Sequence, residues 1–120
     1  MPAEVEPMVE AYREYHDAAR TAMRDGATAH DVHRAVSNGF TERGYHLGHV
    51  TGHSIGMTMI EHPRVGEGME TVLRSGMVLS MHPHAIAPDG RNCLYMQDTW
   101  LVTDGGGEPL SCLPMQVYPG

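Results

Sequence analysis

The chain has 120 residues, the length of one domain, and its hydrophobic fraction of 41% predicts a packed core rather than disorder. Eight basic residues, all arginine, stand against fifteen acidic ones, giving a net charge of −7. This balance argues against a nucleic-acid partner, and the absence of lysine excludes Schiff-base chemistry by the chain's own side chains. No apolar run approaches a bilayer span, so we expect a cytoplasmic protein without a membrane partner.

The first 26 residues predict an amphipathic helix. Apolar side chains recur every three or four positions between Pro7 and Arg24, which places them on one helical face. Pro7 suits the first turn, and Gly26 suits a left-handed cap at the end. We therefore expect a helix within 1–26.

A second helix is predicted over 28–44. Thr28 is suited to be its N-cap, and Asp31, three residues on, is a weak capping-box partner. The helix is expected to stop at Gly44. The apolar side chains that it turns inward are Val32, Val36 and Phe40.

Residues 45–120 predict strands, because glycines and prolines divide them into runs too short for helices. Met77–Met81 is a compact apolar strand, and Leu94–Thr103 alternates like one longer strand. The sequence 104–106 predicts a turn, followed by a last strand near Pro109–Leu113. Two helices followed by an antiparallel sheet form an α+β layout with the helices on one sheet face.

The two cysteines, Cys93 and Cys112, do not form a disulfide framework. Two free thiols are favoured over a disulfide. No CxxC spacing is present, so a structural zinc site is not expected.

Three histidine clusters are candidates for chemistry. His49 and His53 are four residues apart, a spacing that returns both imidazoles to one face of a strand. The other clusters are Glu61-His62-Pro63 and His82-Pro83-His84, the latter with both imidazoles expected on one strand face. Taken singly, each histidine is more often a hydrogen-bonded structural residue than a ligand.

The order of four motifs along the chain is more specific than any single histidine cluster. These motifs are GHSIG, EHP, LRSGMVLSMHP and YMQDTWLVTDGG. Together they resemble the second half of the creatinase, methionine aminopeptidase and prolidase superfamily (peptidase M24), whose catalytic domain has the pita-bread fold. The resemblance runs from about Tyr12 to Leu113 and implies half of a pita-bread α+β domain. The HxxxH before IG resembles the prolidase and aminopeptidase P branch, while the metal-free creatinase-like branch is the nearest functional analogue.

Active metallopeptidases of this fold hold two metal ions with two Asp, one His and two Glu, and the resemblance carries over only in part. His53 matches the His ligand and His49 matches a substrate-facing His. His82 and Gln97 stand at the two Glu positions, and the Asp ligands belong to a sheet that precedes the first helix. Two adjacent divalent cations need several carboxylates, so a dinuclear site is not expected.

The resemblance then implies a hydrolase or lyase that cleaves a C–N bond of a small polar substrate. His53 would carry the proton, with His49 and His82 as partners and Gln97 positioning the substrate, since a neutral imidazole suits general base work. Glu61 or Asp98 would orient an imidazole. The further substrate-binding candidates are Glu61, His62, His84, Tyr95 and Asp98.

No cofactor is expected, unless His53 and His82 hold one Zn, Ni or Fe ion with help from His49, His62 or His84. The alternative is a degenerate pocket in which His53 and His82 hydrogen-bond each other or Gln97.

A different class of function is a non-catalytic module. Its open sheet face would be covered by a separately encoded first half or by a second copy in a homodimer. The sequence is also compatible with a fragment of a longer protein.

Overall fold

The computed structural model describes residue 3 and residues 5–48 and 50–117. The helices are α1 (Glu6–Ala22) and α2 (Ala29–Glu42). The strands are β1 (Val50–Ser54), β2 (Glu61–Gly66), β3 (Val78–Met81), β4 (His84–Ile86), β5 (Cys93–Tyr95), β6 (Asp98–Val102) and β7 (Gly107–Pro109). The α+β layout is confirmed. No described helix is both long and apolar enough to span a bilayer.

Helix α1 is amphipathic as predicted but ends earlier than Arg24. Its buried face includes Met8, Tyr12 and Tyr15. The last turn is lost because Arg24 forms an isolated bridge with Thr103, beyond the end of β6. Gly26 does adopt the left-handed region, with φ of +90°, in the turn that follows rather than at the helix cap.

Helix α2 begins as predicted. The Thr28 hydroxyl accepts a hydrogen bond from the Asp31 backbone N–H at 3.1 Å. The helix ends at Glu42, before Gly44 with φ of +78°. Val32, Val36 and Phe40 are all buried, so the predicted inner face is confirmed.

Five strands form an antiparallel sheet in the order β2-β1-β3-β6-β7, and β4 and β5 pair in a small separate sheet. The predicted strand β3 is confirmed. The turn at 104–106 is also confirmed, but the last strand lies at Gly107–Pro109, before the predicted position, because Gly107 pairs directly with Val102.

The continuous strand predicted over Leu94–Thr103 is wrong. Two strands, β5 and β6, replace it, and the residues between them are Met96 and Gln97. The opposite chain is interrupted at the same level, between β3 and β4, by His82 and Pro83. Proline has no N–H to continue a ladder, which accounts for the break.

The hydroxyl of Tyr12 fills this interruption. It lies within hydrogen-bonding distance of the carbonyls of Pro83 and Leu94, and it accepts from the Ala85 N–H at 3.4 Å. Burial raises the pKa of Tyr12 to about 12, so the group stays neutral. A side chain of α1 thus satisfies backbone groups that the sheet leaves unpaired.

The core lies between the helices and one face of the main sheet. Trp100 in β6 is fully buried, and its indole N–H donates to the Tyr15 hydroxyl at 3.2 Å. Leu79 on β3 is the cross-strand partner of Trp100 and is also buried. Because side chains alternate along a strand, the residues next to Trp100 in β6 and next to Leu79 in β3 point to the opposite face of the sheet.

Candidate functional site

A cavity of about 450 Å³ lies on the face of the main sheet that the helices do not cover. One side of it is apolar and comes from β1 and from the loop that follows β1. These apolar residues are Val50, Ile55, Met59 and Ile60. Met59 is 80% exposed, so this side of the cavity is open to solvent.

A cross-strand row of polar residues forms the floor of the cavity. His53 in β1 pairs with Arg64 in β2 on one side and with Ser80 in β3 on the other. Directly opposite residues in an antiparallel pair present their side chains on the same face, with Cβ atoms about 4.5–5.5 Å apart. All three residues line the cavity. The strand register therefore brings a guanidinium, an imidazole and a hydroxyl together.

His53 and His82 are neighbours in the cavity. Their ring centroids are 5.1 Å apart and the rings are tilted by 50°. His53 Nδ1 lies 3.0 Å from the Ser54 carbonyl oxygen, which can only accept. In the neutral form of the ring, Nδ1 therefore carries the proton and Nε2 has the lone pair. Burial lowers the pKa of His82, and this effect outweighs a backbone hydrogen bond that raises it.

Gln97 also lines the cavity, and its amide N–H donates to the Ser80 hydroxyl oxygen. His53, His82 and Gln97 thus share one cavity, as the sequence predicts. The alternative in which the two imidazoles hydrogen-bond each other or Gln97 is not the arrangement found among the described residues. His53 instead has a backbone partner, and Gln97 has a serine partner.

Tyr95 forms a further wall next to His82. Its ring stacks on the His82 ring at 5.8 Å and meets the His84 ring edge-on at 5.6 Å. His84 therefore lies behind Tyr95 and does not line the cavity. The two imidazoles were expected on one strand face, but the break at Pro83 separates them.

Three other predicted site residues also lie away from the cavity lining. The Glu61 carboxylate accepts hydrogen bonds from the backbone N–H and hydroxyl of Thr58. His62 is exposed on β2. Asp98 contacts an imidazole, but it is that of His16 on α1, at 3.3 Å on the helix-covered face.

His49 lies outside the described residues, so its predicted role stays a prediction. Cys93 and Cys112 are free, as predicted, and both are exposed.

Sequence reasoning missed Arg64 and Ser80. Neither belongs to a histidine cluster, and both enter the site through their register with His53. The available signal was strand pairing: once GHS and EHPR are read as an antiparallel pair, the arginine faces the same side as the histidine.

The electrostatics of the cavity contrast with the acidic chain around it. None of the described residues that line it is Asp or Glu, and Arg64 is one of them. In the described part of the chain the Arg64 guanidinium has no ion-pair partner. The cavity is therefore positive to neutral although the net charge of the chain is −7.

The model of metallopeptidase family M24 matches residues 2–104. The chain belongs to this family. It is 32% identical over 111 residues to the Xaa-Pro dipeptidase of Pyrococcus horikoshii, which covers 88% of this chain and 31% of that protein. It is also 32% identical over 113 residues to the agropine synthesis cyclase of Rhizobium rhizogenes, covering 92% of this chain and 28% of the cyclase.

The crystal structure of the dipeptidase PepE from Mycobacterium ulcerans has the same fold, with a TM-score of 0.85 at 29% identity. The match covers 97% of this chain and 32% of that one. The fold is therefore part of a pita-bread domain, as the resemblance implied. The chain spans about a third of the length of the relatives that it matches.

The family implies metal ions, and the residues of this chain do not fit a pair of them. Among the described residues, no three His, Cys, Asp or Glu side chains lie together as a metal-binding group. The cavity supplies the two imidazoles of His53 and His82, and the remaining polar lining is neutral or cationic. Two divalent cations without bridging carboxylates would repel each other and the nearby guanidinium.

Proposed function

We propose that this M24 chain carries a hydrolase or lyase site that cleaves a C–N bond in a small polar molecule without a pair of metal ions. His53 transfers the proton. The observation that carries this proposal is the composition of the cavity, whose described lining includes imidazoles, an amide and a guanidinium but no carboxylate.

The hydrogen bond of His53 supports its role as general base. Because Nδ1 donates to the Ser54 carbonyl, the tautomer is fixed and Nε2 is left to accept a proton. The ring is largely buried, which keeps bulk water from competing for that lone pair. His82, whose pKa burial lowers, stays neutral beside it and adds no positive charge that would oppose protonation of His53.

Arg64 supports an anionic substrate. Its guanidinium lies beside His53 and lacks a carboxylate partner in the described residues, so a substrate carboxylate can pair with it. The apolar side of the cavity then receives an uncharged part of the same molecule. The substrate class is a small molecule with a carboxylate and an apolar portion. Its scissile C–N bond lies between these two parts or next to one of them.

We also propose that a second polypeptide, either another copy or a separate first half, covers the open side of the cavity. Met57 and Met59, in the loop after β1, are 102% and 80% exposed. Exposed apolar clusters of this kind mark contact surfaces. Sedimentation of the purified chain tests this, and a monomer at all concentrations would contradict the self-association version.

The first experiment measures turnover on a panel of small carboxylate-bearing amides, ureas and amidines, with protein purified without a histidine tag and treated with chelator. His53→Ala, with the fold retained by circular dichroism, is expected to lose at least ~100-fold in rate. His46→Ala is the control, since His46 is exposed and outside the cavity lining. Undiminished turnover in His53→Ala would overturn the proposal, and a stoichiometric pair of metal ions by elemental analysis would overturn its metal-free part.

A further inference from the structure

We propose that Ser80 is a nucleophile that forms a covalent ester with the substrate. This inference rests on the proposed hydrolase function of the cavity and adds a second active residue to it. The sequence pattern does not single out this serine. Its position in the fold supports the proposal.

Ser80 lies close in the fold to two histidines. His53 is its direct cross-strand partner on β1, and His82 is two residues further along the same chain. Partners in such a pair have Cβ atoms about 4.5–5.5 Å apart. Ser80 is buried yet lines the cavity, so its hydroxyl lies on the cavity floor next to a base. A hydroxyl beside an imidazole base is the arrangement that activates serine.

The hydrogen bonds around the hydroxyl leave its proton available. Ser80 Oγ accepts from the Gln97 amide N–H, and within the described part of the chain its own proton has no acceptor. His53 Nδ1 is engaged by the Ser54 carbonyl, so Nε2 is the nitrogen that can take this proton. The Gln97 donor also stabilises the negative charge that develops on Oγ as the proton leaves.

The step balances as an acyl transfer. Ser80 Oγ forms a bond to the substrate carbonyl carbon while its proton passes to His53 Nε2. The C–N bond then breaks, and the leaving nitrogen takes that proton from His53. In the second half-reaction, water attacks the ester carbonyl carbon and gives its proton to His53 Nε2. His53 returns this proton to Ser80 Oγ as the ester C–O bond breaks, which releases the acid product and free Ser80. Arg64, on the other side of His53, holds the anionic part of the substrate during both steps.

Ser54 provides a matched control. It lies in β1 next to His53, but its hydroxyl donates to the Val78 carbonyl at 3.4 Å and it does not line the cavity. A serine that reacts because of its surroundings should therefore be Ser80 and not Ser54.

The probe is methanesulfonyl fluoride, a compact reagent that sulfonylates activated serines with loss of fluoride. Wild-type chain should gain one adduct, located on Ser80 by peptide mapping. Ser80→Ala should lose it, Ser54→Ala should retain it, and His53→Ala should slow labelling by at least ~100-fold because the base is gone. An adduct elsewhere, or no adduct on Ser80, would overturn the inference.

A second variant keeps the test decisive if Ser80→Ala fails to fold. Ser80→Cys is nearly isosteric, and its thiol should be alkylated by iodoacetamide faster than Cys93 or Cys112, which are exposed and lie outside the cavity lining. Equal or slower alkylation at position 80 would count against activation by the neighbouring imidazole.

Turnover separates this inference from the proposed function. If Ser80→Ala keeps wild-type turnover while His53→Ala loses it, His53 activates water directly: the nucleophile is refuted and the proposed function stands. If both variants keep it, both proposals fail. Loss in both variants, together with the Ser80 adduct, supports both.

Discussion

Histidines on the two faces of the main sheet have different neighbours. On the helix-covered face, His16 packs on Trp100 with ring centroids 4.7 Å apart and meets a carboxylate, that of Asp98. On the cavity face, His82 meets another imidazole and a tyrosine ring. Burial lowers the pKa of both histidines, but only His16 has a carboxylate that opposes the shift.

Two adjacent residues, one before β6 and one at its start, show this distinction. Gln97 and Asp98 follow one another, yet the first donates to Ser80 in the cavity and the second pairs with His16 under α1. The acidic group is therefore used to hold the helix against the sheet, and the amide is left for the cavity. The charge of the cavity therefore depends on which face of the sheet each side chain reaches rather than on the composition of the local sequence.

The largest expected effect comes from removing the core on the helix-covered face. Trp100→Ala should lower the free energy of unfolding by about 3–5 kcal/mol, because it leaves a large void and removes the donor to Tyr15. Thr99→Ala, one residue earlier and on the other face, is the matched control and should change it by about 1 kcal/mol or less. Urea denaturation measures both, and equal losses would contradict the assignment of faces.

A smaller loss is expected from Tyr12→Phe. The change removes one hydroxyl from the interruption between the two sheets and leaves the Ala85 N–H without its partner. The free energy of unfolding should fall by about 1–3 kcal/mol. Tyr45→Phe is the control, since Tyr45 also packs against the core but its hydroxyl makes no hydrogen bond within the described residues. Equal urea midpoints for the two variants would show that the interruption does not depend on Tyr12.

Arg64→Gln should change binding and leave stability nearly unchanged, because Arg64 is exposed. The probes are 4-methylpentanoate and its neutral amide, which differ in charge but hardly in shape. Wild-type chain should bind the carboxylate about tenfold more tightly in calorimetry, and Arg64→Gln should bind the two alike. Arg74→Gln, an exposed arginine outside the cavity lining, should behave as wild type. A retained preference in Arg64→Gln would remove Arg64 from the site.

The sequence could predict what depends on local spacing. The period of Val32, Val36 and Phe40 defines the inner face of α2 without knowledge of the rest of the fold. The family resemblance placed His53, His82 and Gln97 in one cavity, since the order of motifs carries distant contacts that periodicity does not.

What the sequence could not predict depends on contacts distant in the chain. Arg64 and Ser80 enter the cavity only through strand register, which no short segment contains. The break at Pro83 was also missed, because the residues 94–103 keep their alternation across it while Tyr12, 71 residues away from Pro83, satisfies the freed carbonyl. Grouping Asp98 with the cavity failed for the same reason, as its partner His16 comes from α1.

The smallest expected effect is a pH dependence of stability that separates the two histidines. Both have lowered pKa values in the folded chain, so the unfolded chain binds protons more readily, and stability should fall as the pH drops below about 6.5. His16→Asn and His82→Asn should each flatten the urea midpoints between pH 7.5 and 5. A flat profile in wild type would contradict both shifts.

Asp98→Asn should change the pH dependence that comes from His16 but not the one that comes from His82. The Asp98 carboxylate raises the pKa of His16 against the larger effect of burial, so its removal should lower that pKa further. The stability of Asp98→Asn should then fall more steeply with acid than that of wild type. In the background of His16→Asn, the same change should leave the slope nearly unaltered, because Asp98 is not among the described groups that shift the pKa of His82. If Asp98→Asn still makes stability fall more steeply with acid in the absence of His16, the carboxylate acts across the sheet. The two faces would then not be electrostatically separate.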